Sequence, residues 1–373
     1  MKDLRDILTH AQQLNRKKSS YAIATVVGTC GSSYRGLGAR MLIKKEDNTG
    51  TITGGCLEED FHRFAEKAIE IGKPQLIEYD YTDDNDYLFG TGMGCSGKLQ
   101  VVITPMPSKN GQQFIKTLEN VIEKRKQTVL VTIIDQDKHS DFSIGDTLDF
   151  SSNHTNNFPK QIESLINDFL QKKYIKNNTS TSCFRKKFCG LDILVEIFCP
   201  PLTLTIFGAG DDSKPLISSG IELGWEIQLV DHRPTLANTS RFPNITNIHY
   251  ATTGNWPKKL RLPQNSAAVV MSHNYLQDQV ILEKLLTLQL AYIGVIGSHL
   301  RNKKLFKDLE KKGIVPSDVE NIYSPAGLDL GGDSPNTIAL SICAEINKVI
   351  YKATGESLSL NQGPIHDRCS TLN

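Results

Sequence analysis

The stretch LTLTIFGAGDDSKPLISSGIELGWEIQLVDHRP, residues 202–234, decides the fold of the chain's second half. It reads as an apolar, β-branched run, a Gly-x-Gly turn, a helix-length segment, a second apolar run and a terminal acid. Gly208 permits the tight turn, and Gly210 lets backbone amides approach a pyrophosphate at the helix start. Asp231 ends the second strand 23 residues after Gly208, where an acid meets ribose hydroxyls in dinucleotide folds. Ser213 stands where the fingerprint has its third glycine, and Asp211 and Asp212 open the helix. Those acids suit the helix dipole but repel a phosphate. The pattern implies a Rossmann-like scaffold. Its crevice is expected either to hold a nucleotide or NAD(P), with Arg233 beside a 2′-phosphate, or to be kept for backbone geometry in a unit used for subunit contacts.

Further along, AAVVM (267–271) and YIGVI (292–296) continue the apolar strands, with helices expected at about 212–222, 277–288, 301–312 and 335–353. This alternation predicts a doubly wound parallel sheet covered on both faces. The loops MSHNYLQD (271–278), IGSHLRNKK (296–304) and SPAGLDLGGDSP (324–335) then fall at the carboxyl ends of strands, where such sheets bind ligands. His273 is a candidate binding or acid/base residue there, against the plainer role of a hydrogen-bonded strand terminus.

The first half reads as a mixed α/β domain. A helix over 2–18 precedes strands at Tyr21–Gly28 and Arg40–Lys44; a helix is expected at about 57–72, strands at 75–79 and 98–104, a helix at 111–126 and a strand at 128–134. Residues 135–190 are polar and weakly patterned, with a helix expected over 158–172 and a strand at Asp192–Phe198. The basic trio Arg185–Lys187 reads as a solvated turn. Pro200–Pro201 interrupts the chain, so the expected domains are 1–199 and 200–373.

Composition narrows the function. Over 373 residues, 42 Lys and Arg balance 41 Asp and Glu, leaving no bulk electrostatic case for binding nucleic acid or an anionic membrane. No apolar run approaches the roughly 18 residues that span a bilayer. The opening MKDLRDILTHAQQLNRKK is a charged amphipathic helix without a secretory apolar stretch, which leads to a cytoplasmic expectation. Of eight cysteines no two have CxxC spacing, so most, Cys30 among them, read as structural thiols.

Cys56 and Cys95 stand apart because both lie in glycine-rich loops. GTCGSSYRGLGARM (28–41) gathers glycines, hydroxyls and Arg40; TGGCLEED (53–60) carries Gly54, Gly55, Cys56 and Glu58 into a helix start; FGTGMGCSG (89–97) surrounds Cys95 with Gly94 and Gly97. Bare amides form anion-binding nests, and a helix dipole favours the thiolate, a nucleophile or soft-metal ligand. Together these loops suggest one site for an anionic, sulfur-seeking ligand; the alternative is three tight turns with buried cysteines. Glu59 and His62 have carboxylate–imidazole spacing but no second copy, which is a poor basis for a metal site.

The sequence resembles the xanthine dehydrogenase accessory protein family, XdhC/CoxI, through GLGARM, TGGCLEED and GCSG in the first half. In the second half the likeness runs through IFGAGDDSKPL, LVDHRP, VVMSHNYLQD, YIGVIGS and GLDLGGDSPNTIALSICAEI. Thr53, Ser96 and the Asp211–Asp212 pair depart from the family pattern. The resemblance implies a factor that binds molybdenum cofactor as cargo while a cysteine desulfurase supplies sulfur. It further implies delivery of that cargo to a xanthine dehydrogenase-type apoenzyme, and a homodimeric protein. Under that reading Arg40 and the glycine amides meet the pterin phosphate, Cys56 or Cys95 lies at the molybdenum end, and Glu58 orients Cys56 or the pterin. Such a protein is an accessory factor rather than a catalyst. The competing class is an NAD(P)-dependent oxidoreductase using the second domain, with Gly208, Gly210, Asp231 and His273 around its cofactor.

Overall fold

The structure is a computed structural model that describes residues 2–31, 34–45, 47–55, 57–80, 97–124, 127–136, 142–150, 163–164, 166–167, 182–188, 190–251, 256–257, 260–264, 266–316 and 320–360. The chain divides into two compact units, Asp3–Pro200 and Pro201–Asn361.

The first unit holds two antiparallel sheets. In the larger, β1 (Tyr21–Gly31) is central, flanked by β2 (Arg40–Ile43) and β3 (Thr49–Gly50) on one side and by β5 (Gly97–Met106) and β4 (Gln75–Asp80) on the other. The apolar run YAIATVV does not alternate because β1 is covered on both faces. Ala22, Ala24 and Val26 pack under α2 (Glu58–Ile71), while Tyr21 and Ile23 pack against α1 (Lys2–Arg16) and α3 (Lys109–Lys124). α1 presents Leu4, Ile7, Leu8, Ala11 and Leu14 to that core, the spacing of one helical face. α2 ends at Gly72, whose left-handed φ of 70° lets its amide return to the Ala68 carbonyl.

The smaller sheet runs β7 (Thr147–Asp149), β6 (Thr128–Gln136), β9 (Leu191–Phe198), β8 (Ser182–Phe188). Here a sequence expectation fails: Arg185–Lys187 is not a solvated turn but part of β8, paired along its length with β9. Arg185 reaches Asp192 with Nε and Nη2 at 2.9 and 2.6 Å, and also donates to Gln100 of the larger sheet. This bidentate pair absorbs a charge that the sequence assigned to solvent. Gly28 sits at the bulge that lets β1 continue to Gly31, three residues beyond its expected end; a Cβ there would lie 2.5 Å from the Arg185 Nη1. The helix expected over 158–172 falls mostly outside the described residues; 163–164 and 166–167 are helical.

The second unit is a six-stranded parallel sheet with β10 (Thr203–Phe207), β11 (Glu226–Asp231), β12 (Asn247–Tyr250), β13 (Ala267–Val270), β14 (Tyr292–Val295) and β15 (Ile322–Tyr323) in the order β12-β11-β10-β13-β14-β15. α4 (Ser213–Glu222) and α7 (Pro335–Tyr351) cover one face, burying Leu216, Ile342 and Ile346 against Leu204, Ile206 and Leu229. α5 (Tyr275–Leu285) and α6 (His299–Glu310) cover the other, burying Leu282 and Leu305 against Phe207, Val270 and Ile293. This is the doubly wound sheet anticipated from 202–234, with its switch point between β10 and β13. β12 and β15 are additions: NIHY is half polar, and β15 has only two residues, so neither reads as a strand from sequence. Among the described residues no helix is long and apolar enough to cross a membrane.

Candidate functional site

Strand register brings the glycine segments of the first unit to one end of its larger sheet. Gly31, the last residue of β1, pairs with Gly97, the first of β5, and Cys30 pairs with Lys98. β4 ends at Asp80, also opposite Lys98, whose Nζ lies 2.6 Å from the Asp80 carboxylate. The chain therefore leaves this end at Asp80 and re-enters it at Gly97. Phe61, in the first turn of α2, meets the Tyr79 ring edge-on at 5.9 Å, which sets the start of α2 at the same end. Glu58, one turn before Phe61, therefore starts α2 towards the end of the sheet at which β5 begins with Gly97. Gly94, Cys95 and Cys56 lie outside the described residues. Cys30, read as structural, has an exposed thiol at this end; its position next to Gly31 in GTCG was the available signal.

The Thr53–Glu58 turn differs from an ordinary helix entry. Leu57 supplies no side-chain cap, and the acids Glu58, Glu59 and Asp60 meet the helix dipole instead. Thr53 is buried, and its hydroxyl donates to Glu58 Oε1 at 3.3 Å, folding the carboxylate back over the turn. The other oxygen, Oε2, is sealed from solvent and has no hydrogen-bond partner among the described residues. Gly55 has φ of 109°, a conformation that requires glycine. Gly54 has no such need: a Cβ built there would meet nothing within 4 Å.

Arg40 is placed differently from the expectation at a phosphate. It is buried, with Nη1 2.8 Å and Nη2 2.5 Å from the two oxygens of Glu196, and its guanidinium lies 5.3 and 5.9 Å from the Phe114 and Phe198 ring centres. Gly38 has no room for a side chain, because Glu196 Oε1 would stand 2.7 Å from its Cβ, and its φ is 78°. The GLGAR segment therefore seats a buried ion pair joining the two sheets, and its charge is spent inside the unit.

In the second unit the Gly-x-Gly turn is closed on itself. A Cβ on Gly208 would lie 2.2 Å from the Met271 carbonyl oxygen, and one on Gly210 would lie 2.4 Å from Asp212 Oδ1. Ser213, in the place of the third glycine, is fully buried and donates its hydroxyl to the Gly210 carbonyl at 2.7 Å. Asp231 Oδ2 accepts the Ala209 amide at 2.7 Å and Arg233 Nη2 at 2.8 Å. Burial pushes the Asp231 carboxyl up, but Arg233 and the two amides outweigh it and hold it below the ordinary carboxylate range. Arg233 thus faces Asp231 rather than standing free for a 2′-phosphate.

Asp212 does not cap α4; its Oδ2 lies 2.6 Å from His273 Nε2, across the switch point. His273 has φ of 56°, unusual for a residue with a side chain. The turn is over-determined by its neighbours. Ser272 Oγ donates to the buried Asp278 at 2.5 Å, Arg301 Nη2 reaches the other Asp278 oxygen at 2.6 Å, and Asn274 caps α5. Gly208, Asp231, Trp256 and Ser272 line a crevice at this edge of the sheet. Trp256 packs on Phe207 at 5.1 Å.

Buried thiols elsewhere are inert: burial pushes Cys199 up to about 11 and Cys343 up to about 12. Among the described residues no group of three or more His, Cys, Asp or Glu could hold a metal ion; His62 Nε2 lies 3.1 Å from Asn48 Nδ2.

Two family descriptions match the chain: the XdhC Rossmann domain over residues 204–346, and the XdhC and CoxI family over residues 14–80. A Bacillus subtilis protein described as a probable xanthine dehydrogenase subunit is 29% identical over 326 residues, covering 87% of this chain and 91% of that protein. The "Molybdenum cofactor insertion chaperone PaoD" of Escherichia coli is 20% identical over 349 residues, 93% of this chain and 89% of its own. A crystal structure described as a xanthine dehydrogenase from Bacillus halodurans shares the fold with a TM-score of 0.72 at 24% identity, over 96% of this chain and 98% of that one. With matched segments in both units, the chain belongs to the XdhC and CoxI family.

Proposed function

We propose that this protein is an accessory factor that binds molybdenum cofactor as cargo and delivers it to a xanthine dehydrogenase-type molybdenum hydroxylase. The family membership and the insertion chaperone among its relatives support the accessory role. The observation that carries the site is the Thr53–Glu58 turn, where Gly54 is exposed with nothing near it and a Glu58 oxygen without a donor among the described residues lies beside Gly55. In this reading Gly54 and Gly55 leave backbone open to the flat pterin, and the Cys56 or Cys95 thiolate meets the molybdenum end, where soft sulfur is the better ligand. The exposed Cys30 adds a thiol at that edge. The proposal extends to a cysteine desulfurase as sulfur donor, to a homodimer and to a cytoplasmic location.

A dinucleotide-dependent oxidoreductase fits less well. The third glycine is replaced by a buried serine, Asp212 stands over Gly210, and Asp231 is already engaged by Ala209 and Arg233. The test is anaerobic mixing of the full chain with molybdenum cofactor, followed by gel filtration and metal analysis. Co-elution of molybdenum with wild type, reduced in Cys56→Ala or Cys95→Ala, is the expected result. A wild type free of molybdenum overturns the function, and undiminished loading of both variants overturns the thiol assignment.

A further inference from the structure

At the parallel sheet of the second unit we infer a docking face for a protein partner. The exposed side of α6, with Leu300, Lys303, Lys304 and Lys307, and Leu276 at the start of α5 take an acidic segment that carries apolar side chains. The inference rests on the accessory reading above, which requires contact with a client enzyme, and adds where and by what chemistry that contact is made. Two independent features lead to it. Leu300 is 84% exposed and Leu276 68%, although the other leucines of their helices, Leu282, Leu285, Leu305 and Leu309, are buried. A single exposed leucine needs no explanation, whereas two at adjoining helix starts form an apolar spot. The starts adjoin because the Tyr275 ring, next to Leu276, lies 5.7 Å from the Arg301 guanidinium and 5.5 Å from Lys304 Nζ. The second feature is charge. Lys303 and Lys307 stand four residues apart and Lys304 and Lys307 three, like-charge spacings that weaken a helix, and the first turn of α6 has no acid. Neighbouring acids give no relief: Asp278 is paired with Arg301, Asp308 with Lys311 and Glu283 with Lys312. Lys303, Lys304 and Lys307 form no ion pair among the described residues.

The chemistry selects the occupant. Exposed lysines beside exposed leucines are complementary to carboxylates set around an apolar side chain, the pattern of an acidic protein segment. The support is firm: the Tyr275 hydroxyl donates to Asp308 of α6 at 2.8 Å, and Arg301 Nη2 reaches the buried Asp278 at 2.6 Å. Little ordering is then left to be done on docking. Other polyanions fit less well. The Tyr275 ring is engaged by two cations rather than offered to a nucleobase. Three lysines fall short of the clusters of about four to eight that hold a protein at an anionic leaflet. A second copy meeting this face about a two-fold axis sets lysine against lysine.

The experiment follows binding of the full chain to a xanthine dehydrogenase-type apoenzyme, purified from cells unable to make molybdenum cofactor, by biolayer interferometry at low and physiological ionic strength. Lys303→Gln/Lys307→Gln is expected to slow association about tenfold and to flatten its salt dependence, because exposed charges act on the encounter. Leu276→Ser/Leu300→Ser should instead speed dissociation about tenfold and keep the salt dependence. The thermal midpoint of the lysine variant should stay at or above that of wild type, since the like-charge spacings are relieved. A marked drop would make those lysines structural and overturn the inference. Apoenzyme binding unchanged in both variants overturns it as well. In that event, phosphatidylserine vesicles bound by wild type but not by the lysine variant give the face to lipid, and a dimer that the lysine variant loses gives it to a second copy. Failure of the function itself looks different: wild type then binds no apoenzyme at either ionic strength, which removes the delivery reading and the inference with it.

Discussion

Among the glycine turns that lead into helices, Gly54–Gly55 before α2 and Gly208–Gly210 before α4 are built for opposite ends. At the second, the chain itself demands Gly208 and pairs off the acids. A Cβ on Gly208 collides with the Met271 carbonyl, and Asp211, Asp212 and Asp231 are paired with Arg241, His273 and Arg233. At the first, Gly54 faces open space and Glu58 holds an oxygen without a donor among the described residues. A glycine that the fold consumes marks architecture, and a glycine that the fold leaves over marks an approach from outside. The sharper-looking fingerprint is therefore the more self-contained of the two.

The largest effect that tests this contrast is Gly208→Ala. With φ of 134° and a 2.2 Å approach to backbone, it should cost about 4 kcal/mol and lower the unfolding midpoint by roughly 10 °C in a thermal melt. A melt within a degree of wild type would dissolve the distinction. Next comes Arg40→Met, which strands the buried Glu196 and should cost about 3 kcal/mol, with most of it regained in Arg40→Met/Glu196→Leu. Loading of molybdenum cofactor per folded molecule should be unchanged in that double variant, as befits an internal pair.

Asp231→Asn is expected to cost about 2 kcal/mol near neutral pH, by loss of charge-assisted bonds to Arg233 and Ala209. Because the folded carboxyl is held low, its contribution is present above the ordinary value near pH 4 and is lost as pH falls through the lower folded value. Wild type and variant melts should accordingly converge on acidification through that window. The smallest effect belongs to Gly54→Ala, within about 0.5 kcal/mol of wild type in denaturant unfolding, but with weakened pterin binding. Unaltered binding would show that nothing approaches that face.

Much of the architecture was readable because its signals are local. LTLTIF, EIQLV, AAVVM and YIGVI are apolar runs long enough to be strands, and the glycines between them are spaced for turns. β12, NIHY, and β15, two residues long, were missed because neither carries enough apolar length to stand out from a loop. Arg185–Lys187 misled for a related reason: a basic run looks solvated until a strand 7 residues away supplies Asp192. Arg40 was a plausible phosphate ligand until Glu196, 156 residues distant in sequence, came to meet it.

By itself the sequence determined the parallel sheet of the second unit, the glycine-rich character of the first and the family to which both belong, since hydrophobic period, turn chemistry and motif spacing are properties of neighbouring residues. Tertiary structure decided which glycines and charges are already used. A bare Cα and a buried guanidinium have the same letter whether they face a carbonyl, a carboxylate or a ligand, and their partners come from segments far along the chain, where spacing carries no information about contact.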